Sequence, residues 1–260
     1  MDPERIAFRS VGFAYSSGER LAARFPALRP DALRDLTFSV RPGEAVALLG
    51  CNGSGKSTLL QLCDGLLVPD TGSILWKGAP MDRSRSGLAR LRSEVGLLFQ
   101  DPDDQLLGGT LRDDVAYAPR NQGLCEAEVR ERVDEALAST GMSDFADLPP
   151  HVLSHGMRKR AALAGVLAAR PRLLLLDEPT AGMDPGSEGL LMDVLTDLVA
   201  KGASVLLATH DLDLARRFAD RAMVLAEGRM VAFDRTDEVL GSRETLESAG
   251  LLRRSSWRRR

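Results

Sequence analysis

The residues with the clearest chemical pattern are Gly50 to Ser57, which read G-x-x-x-x-G-K-S. In such a loop the glycines allow successive backbone N–H groups to point inward, and the partial positive charge of a following helix adds to the full charge of Lys56. The pattern predicts that this loop holds the phosphates of a nucleotide and that the Ser57 hydroxyl can bind Mg²⁺. The alternative, a glycine turn before an ordinary core helix, is disfavoured by the Lys-Ser pair.

Two adjacent carboxylates, Asp177 and Glu178, follow four consecutive leucines. An uninterrupted apolar run is typical of a central parallel strand, so we expect both carboxylates at a strand end. Phosphate transfer needs a metal-binding carboxylate beside the phosphate loop, and Asp177 is the candidate for that role. Glu178 is then a candidate to activate water. His210 follows a later apolar run, from which it can hydrogen-bond a γ-phosphate.

The elements that must position these residues show both strand and helix patterns. An apolar run at 44–49 precedes the glycine loop and a helix-forming run at 58–63 follows it, which is the context that a phosphate loop requires. Apolar runs predict further strands, the last two forming a hairpin, at 6–15, 32–40, 73–77, 95–99, 173–176, 205–208, 223–225 and 230–233. The order of elements predicts an α/β nucleotide-binding sheet.

From about residue 111 to residue 170 the pattern is helical instead. One predicted helix face contains Val129, Val133, Ala136 and Leu137. Ser154 is a suitable N-cap for a further helix, whose apolar stripe contains Leu163, Val166 and Leu167. We interpret this block as a helical subdomain inserted between strand-rich blocks.

Composition excludes some classes of protein and partner. The chain has 260 residues, of which 44% are apolar, and its formal net charge of -3 offers no electrostatic basis for binding nucleic acid. Three cysteines (Cys51, Cys63 and Cys125) have neither metal-ligand nor disulfide spacing and are predicted to be free thiols. No apolar run has the length of a membrane span and no secretion signal is recognised. We therefore expect a cytoplasmic protein whose membrane role depends on a partner.

Taken in chain order, the motifs resemble those of the ATP-binding cassette (ABC) ATPases, over about Ile6 to Leu240. Gly50–Ser57 resembles their Walker A loop, and Asp177 and Glu178 resemble the end of their Walker B motif. Leu153–Met157 lies where the signature L-S-G-G-Q belongs. The adenine-stacking aromatic, the Q-loop glutamine, the D-loop and the switch histidine are matched by Tyr15, Gln100, Ala181–Asp184 and His210. Alternatives for the stacking aromatic are Phe13 and Phe25.

The resemblance implies an α/β fold, the P-loop NTPase ABC cassette. This fold has a RecA-like mixed sheet core, an antiparallel β-subdomain and an inserted α-helical subdomain. The implied ABC ATPase domain spans residues 1–240, with the RecA-like core at 1–99 and 170–240 and the helical subdomain at 100–169. Residues 241–260 are expected to form a C-terminal extension with a basic tail, for which a solvated end is favoured over contact with acidic lipids or a partner.

In this family two cassettes pack head to tail, and each ATP lies between the Walker A loop of one subunit and the signature of the other. The resemblance therefore implies a homodimer or heterodimer with ATP and Mg²⁺ as cofactors. The implied ATP-binding residues are Tyr15, Asn52, Gly53, Ser54, Gly55, Lys56, Ser57 and Thr58. Those implied for Mg²⁺ are Ser57, Gln100 and Asp177, and those implied for catalysis are Gln100, Glu178 and His210. Contacts across the dimer are implied for Ser154, His155, Gly156 and Asp184.

A narrower resemblance is to the ATPases of energy-coupling factor (ECF) transporters, and it rests on Phe99–Leu106, Asp114–Tyr117, Pro150–His151 and Lys159–Ala168. His210–Ala215 is similar to the cobalt/nickel branch of that group. The resemblance implies an ATPase at the cytoplasmic face of the cell membrane, with a transmembrane coupling subunit and a substrate-binding membrane subunit as partners and no nucleic acid. Alternatives are the ATPase of another ABC importer or exporter, a soluble ABC ATPase without a transport role, and a regulator that does not hydrolyse ATP.

Three residues depart from the family pattern. His155 and Met157 replace a glycine and a glutamine of the signature, and Cys51 replaces the more usual proline of Walker A. We expect activity to persist because Ser154 and Gly156, the implied phosphate contacts, are retained. We also expect a thiol reagent at Cys51 to inhibit, and ATP to protect against it.

Overall fold

The computed structural model describes residues 4–15 and 31–252. In these residues the strands are β1 (Ile6–Ala14), β2 (Asp31–Val40), β3 (Ala45–Leu49), β4 (Thr71–Trp76), β5 (Ala79–Pro80), β6 (Val95–Leu98), β7 (Leu173–Asp177), β8 (Ser204–Thr209), β9 (Arg221–Ala226) and β10 (Arg229–Arg235). The α-helices of the same residues are α1 (Lys56–Cys63), α2 (Arg85–Arg92), α3 (Leu111–Asn121), α4 (Glu126–Ser139), α5 (His155–Ala168), α6 (Pro185–Ala200), α7 (Leu212–Phe218), α8 (Thr236–Gly241) and α9 (Arg243–Ser248). Short 3₁₀ turns lie at Pro102–Asp104, Ser143–Phe145 and Pro150–Val152.

The chain divides into two compact units. The first contains Met1–Asp82 and Leu206–Arg260, and the second contains Arg83–Val205. The domain boundaries expected at residues 99, 170 and 240 stay a prediction. The alternative aromatic Phe25 and the basic tail lie outside the described residues.

The first unit contains the antiparallel β-subdomain expected of the fold, with strand order β2-β1-β4-β5. It also contains the run β10-β9-β3-β8 of a mixed sheet, in which β3 and β9 are parallel and Leu49 lies opposite Val224. The predicted hairpin is confirmed as β9 and β10, which turn at Glu227 and Gly228 with φ of 49° and 74°. Two successive positive φ angles are what a two-residue hairpin turn needs to match the strand twist.

The C-terminal helices α8 and α9 are part of the core of the first unit. Leu246 of α9 and Ala249, the residue that follows this helix, are buried in the same apolar cluster as Leu49 of β3 and Val224 of β9. Because the cluster includes the strand that precedes the glycine loop, the start of this loop is held close to α9. Residues after 240 thus help to position the loop.

In the second unit β6 and β7 pair in parallel, with Leu98 opposite Leu176. All five residues of β7 are buried, which confirms the prediction of a central strand from its leucine run. Helices α3, α4 and α5 pack on one another. The predicted face of α4 is confirmed by the burial of Val129, Val133, Ala136 and Leu137. Ser154 caps α5 as predicted, its hydroxyl accepting a hydrogen bond from the Met157 N–H at 3.3 Å.

Candidate functional site

The glycine loop connects β3 to α1 and depends on glycine at two positions. Gly53 and Gly55 have φ of 79° and 108°, which residues with a side chain rarely adopt. A Cβ atom on Gly55 would also lie 2.8 Å from the carbonyl oxygen of Ala32. A Cβ atom on Gly53 would meet nothing within 4 Å, so the loop is open on that side. Asn52 and Ser57 are exposed at this open side, where a ligand can reach them.

Lys56 lies under this loop rather than on its surface. Its side chain is almost fully buried, and Nζ donates to the carbonyl oxygen of Gly50 at 2.7 Å and to that of Cys51 at 3.4 Å. The Oγ atom of Ser54 is buried and has no hydrogen-bond partner among the described residues. A buried ammonium group, an orphaned hydroxyl and an open glycine cradle fit the phosphates of a nucleotide.

Tyr15 lies beside the first turn of α1. Its hydroxyl is 3.1 Å from Oγ1 of Thr58, and its ring meets that of Phe13 edge-on with centroids 4.9 Å apart. The Tyr15 side chain remains 43% exposed. The first unit therefore brings the predicted stacking residue next to the predicted phosphate-binding residues.

Cys51 connects the glycine loop to the C-terminal helices. Its thiol is exposed and donates to the carbonyl oxygen of Ala249, with Sγ and O 3.3 Å apart. A Cβ atom on Gly250 would come within 3.1 Å of this sulfur. The residue that replaces the usual proline thus contacts the end of α9.

His210 follows the last residue of β8 and is exposed, as the prediction of a histidine at a strand end requires. The next residue, Asp211, caps α7 by accepting hydrogen bonds from the backbone N–H groups of Asp213 and Leu214 at 2.9 and 3.0 Å. This cap fixes the direction in which the chain leaves β8. His210 is therefore held at the junction of a strand and a helix.

In the second unit, both predicted carboxylates lie at the carboxyl end of β7. Asp177 is the last residue of the strand and Glu178 the next, and their exposed fractions are 8% and 6%. Glu178 has φ of 46°, in the left-handed region that residues other than glycine rarely adopt. Such a backbone costs roughly 1–3 kcal/mol and is kept where the surrounding structure enforces it.

A cavity of about 420 Å³ brings together three of the predicted residues of the second unit: Gln100, His155 and Asp177. Its other lining residues are Phe99, Asp101, Asp104, Lys159 and Ala181. Within the described residues no group of three or more His, Cys, Asp or Glu side chains is arranged to hold a metal ion. Mg²⁺ commonly binds through one or two carboxylates together with substrate phosphates, so one carboxylate, Asp177, beside an amide fits that ion.

The signature residues form the start of α5. Ser154 and His155 are exposed, and a Cβ atom on Gly156 would have nothing within 4 Å. His155 is the first residue of the helix and does not have a positive φ, so the glycine it replaces is not needed for backbone conformation here. Its imidazole lies against the D-loop, since a Cβ atom on Gly182 would be 3.5 Å from the His155 Cδ2 atom.

Asp184 begins α6 as its N-cap and is exposed. Its carboxylate accepts hydrogen bonds from the N–H group of Ser187 at 3.0 Å and from the Ser187 hydroxyl at 2.7 Å. These hydrogen bonds lower the pKa of Asp184 from its ordinary value, with the hydroxyl contributing most. The D-loop therefore presents a charged carboxylate at neutral pH.

A family model described as "ABC transporter" matches residues 33–181. The chain belongs to the ABC transporter ATP-binding family. The predicted ABC cassette fold and the predicted enzyme class, an ATPase that binds ATP, are thereby confirmed.

Two curated relatives and one solved structure show how much of the cassette is shared. The cobalt import ATP-binding protein CbiO of Rhodobacter capsulatus is 45% identical over 235 residues, which cover 90% of this chain and 84% of that protein. The energy-coupling factor transporter ATP-binding protein EcfA of Methanocaldococcus jannaschii is 44% identical over 219 residues, covering 84% of this chain and 78% of that protein. The structure of CbiO1 from Clostridium perfringens, part of the ABC transporter complex cbiONQ, superimposes with a TM-score of 0.80 at 37% identity and covers 96% of each chain.

Sequence reasoning missed one residue of this ABC cassette, Lys159. It lies on α5 with 2% of its surface exposed, and burial lowers its pKa from the ordinary value. Its Nζ atom contacts three backbone carbonyl oxygens of the segment that follows β7, those of Glu178, Pro179 and Ala181. A signal was present, since Lys159 precedes the apolar residues Leu163 and Val166 of the same stripe by four and seven positions. A lysine in an apolar helix stripe needs buried hydrogen-bond acceptors.

Among the described helices of the cassette, none is long and apolar enough to span a membrane.

Proposed function

We propose that this cassette is the ATP-hydrolysing subunit that powers an ECF-type membrane importer, with cobalt or nickel ions as cargo. The observation that carries the proposal is the near full-length likeness to EcfA and CbiO, whose names specify energy-coupling factor transport and cobalt import. The cassette would act at the cytoplasmic face of the cell membrane, through a transmembrane coupling subunit and a substrate-binding membrane subunit. CbiO1 is described as part of the ABC transporter complex cbiONQ, which supports such partners.

The proposed binding residues follow from the geometry of the glycine loop. Lys56 and the backbone N–H groups of Gly53 to Thr58 would hold the phosphates, and the exposed ring of Tyr15 would stack on adenine. Asn52 would close the open side of the loop. The fit of this cradle to phosphate, with an orphaned hydroxyl at Ser54, supports these roles.

The proposed catalytic residues lie at strand ends. Glu178 would act as general base, taking a proton from the attacking water, and His210 and Gln100 would hold the γ-phosphate and the water in place. Ser57, Gln100 and Asp177 would hold Mg²⁺, which when bound neutralises charge on the phosphate oxygens. The place of Glu178, directly after Asp177 at the carboxyl end of β7, supports its role.

We propose a head-to-tail dimer, either of two copies or with a related ATPase, in which Ser154, His155, Gly156 and Asp184 contact the second subunit's ATP. Ser154, His155 and Asp184 are exposed, and the space beside Gly156 is open. The N-terminus of α5 adds a partial positive charge that suits a phosphate. These features support a contact with a nucleotide that is bound to the second subunit.

The membrane partner is proposed to dock on α3 and the segment before it. Leu107 and Tyr117 are 86% and 71% exposed, which is unusual for large apolar side chains, and Tyr117 lines a cavity of about 200 Å³. Asp114 lines the same cavity, where its Oδ2 atom is buried without a hydrogen-bond partner among the described residues. The other oxygen, Oδ1, accepts from the N–H groups of Leu107 and Gly108 at 2.8 and 2.7 Å. A basic side chain on an apolar helix of the transmembrane coupling subunit fits this combination.

The test is transport by the assembled complex. The cassette, purified with the membrane proteins that accompany it, is reconstituted in vesicles, and uptake of radioactive cobalt is measured with ATP and Mg²⁺, with nickel as competitor. Uptake should require hydrolysis, fall at least about 100-fold with Lys56→Ala, and stop when Mg²⁺ is chelated. The control is Lys77→Ala, which removes an exposed lysine outside the loop. ATP-driven movement of a vitamin or of another cargo without cobalt or nickel would refute the assignment and favour another ABC transporter.

A further inference from the structure

The ammonium group of Lys159 is buried, and its hydrogen bonds all go to one turn of backbone. Its Nζ atom is 2.7 Å from the carbonyl oxygen of Ala181, 3.1 Å from that of Glu178 and 3.4 Å from that of Pro179. A lysine has three N–H donors, so the group has an acceptor for each of them. All three acceptors lie in four consecutive residues, and the first of these is the proposed general base.

This turn contains an unfavourable backbone conformation, which the surrounding structure must stabilise. Glu178 has φ of 46°, and the turn is closed by hydrogen bonds from the N–H of Ala181 to the Glu178 carbonyl at 3.2 Å and from the N–H of Met183 to the Thr180 carbonyl at 3.0 Å. A strained residue persists only where its surroundings enforce the conformation. Lys159 ties three carbonyls of this turn to the helix α5.

The charge of Lys159 has a local reason to be retained despite burial. Burial lowers its pKa, but the carboxylates of Glu178 and Asp101 act in the opposite direction. Removing the ammonium group would take one donor away from each of three backbone carbonyl oxygens, which weakens the turn. The turn would then have fewer hydrogen bonds to offset the backbone strain at Glu178.

We infer that Lys159 is a positioning residue for ATP hydrolysis, which fixes the backbone from which the Glu178 carboxylate projects. The inference rests on the proposed role of Glu178 as general base. Lys159 also connects this turn to the signature, because Ser154 caps the same helix five residues before Lys159. A contact at the signature end of α5 therefore reaches the turn through about 7.5 Å of continuous helix.

The test compares three variants in the assembled complex. Lys159→Met removes every donor but keeps a long unbranched side chain, and we expect kcat to fall by about 100-fold while the Kd for ATP stays within about twofold. Lys159→Gln keeps two N–H donors and should recover part of kcat. The control, Lys201→Met, makes the same replacement at an exposed lysine that pairs with Asp197, and it should leave both quantities unchanged.

A second measurement separates this inference from the proposed function. Amide hydrogen exchange of Ala181 and Met183 is followed in the isolated chain, where no transport and no membrane partner are needed. Exchange at these amides should quicken in Lys159→Met and remain slow in Lys201→Met, whatever the identity of the general base. If Glu178→Gln keeps its turnover, the base role fails, while the exchange data still decide whether Lys159 holds the turn.

Either of two kinetic results would overturn the inference: a wild-type kcat in Lys159→Met, or a rise in the Kd for ATP that matches the fall in kcat. Unchanged exchange at Ala181 and Met183 would do the same. If Lys159→Met does not fold, Lys159→Gln takes its place. A smaller kcat loss at unchanged ATP affinity supports the inference, and no loss contradicts it.

Discussion

His155 and Cys51 depart from the family pattern, and each has a contact that explains how the fold accepts it. His155 occupies a helical position, where a side chain is tolerated, and its imidazole packs beside Gly182 of the D-loop. Cys51 directs its sulfur at the backbone of Ala249 and Gly250. In both cases the replacement adds a contact to a neighbouring segment and leaves the proposed phosphate-binding groups in place.

Replacing His155 by glycine tests whether its contact with the D-loop matters for catalysis. We expect His155→Gly to raise the ATPase rate of the assembled complex or leave it unchanged, because Ser154 and Gly156 remain and the imidazole no longer occupies the approach to the signature. The cost in helix propensity is at most about 1 kcal/mol. The rate is measured at saturating ATP, with His151→Gly as the control at an exposed histidine outside α5. A large loss of activity in His155→Gly alone would mean that the imidazole has a role of its own.

At the scale of elements, two helices position the proposed chemistry from the side of the protein core. The helix α9 packs on β9 in an apolar cluster that β3 shares, and α5 holds both the signature at its start and Lys159 along its buried face. Each helix has buried apolar residues that place it by packing, so its polar residues are held at defined points. Buried apolar contacts therefore set the geometry of the glycine loop and of the turn after β7, which contact ATP in our proposal.

The contribution of α9 can be measured through its buried leucine. Leu246→Ala should lower the free energy of unfolding by about 2–5 kcal/mol, because it leaves a cavity against Leu49 and Val224. It should also speed the reaction of Cys51 with a thiol reagent, since the Ala249 carbonyl would no longer be held beside the sulfur. Urea unfolding and the labelling rate are compared with those of Glu244→Ala, an exposed position of the same helix. Equal labelling rates in the two variants would show that α9 does not restrain the loop.

At the scale of the whole molecule, the proposed active site needs a second subunit. Ser154, His155 and Asp184 are exposed, and Ser154 and Asp184 accept hydrogen bonds from the first turns of their own helices. Their proposed partner is the ATP of another cassette, so nucleotide occupancy and association should be linked. Binding energy that appears only when two cassettes close on ATP is the means by which hydrolysis can drive a membrane partner.

Glu178→Gln tests this link directly. The amide keeps the shape of the side chain but cannot take a proton, so turnover should fall by about 10²- to 10⁴-fold while ATP still binds. In the presence of ATP and Mg²⁺ the variant should therefore accumulate as a closed dimer, which size-exclusion chromatography with light scattering detects. Wild-type protein, which can hydrolyse its ATP, serves as the comparison and should return to its starting state. Near-normal turnover in Glu178→Gln would rule out the base role, and a variant that binds ATP as a monomer would contradict the composite site.

The sequence by itself determined the features that depend on local backbone rules. Gly53 and Gly55 have the positive φ angles that their loop demands, the leucines before Asp177 form a buried strand, and Ser154 caps α5. Such features could be predicted because each is decided within a few residues by backbone sterics, hydrophobic pattern or a local hydrogen bond. The order of these motifs was enough to place the chain in its family.

Only the tertiary structure decided which residues support those motifs. The hydrogen bond from Cys51 joins residues 198 positions apart, and the Lys159 ammonium reaches a turn about 20 positions further along the chain. No local pattern encodes these pairings, because a side chain's partner is set by which elements pack together and by the need to satisfy buried polar groups.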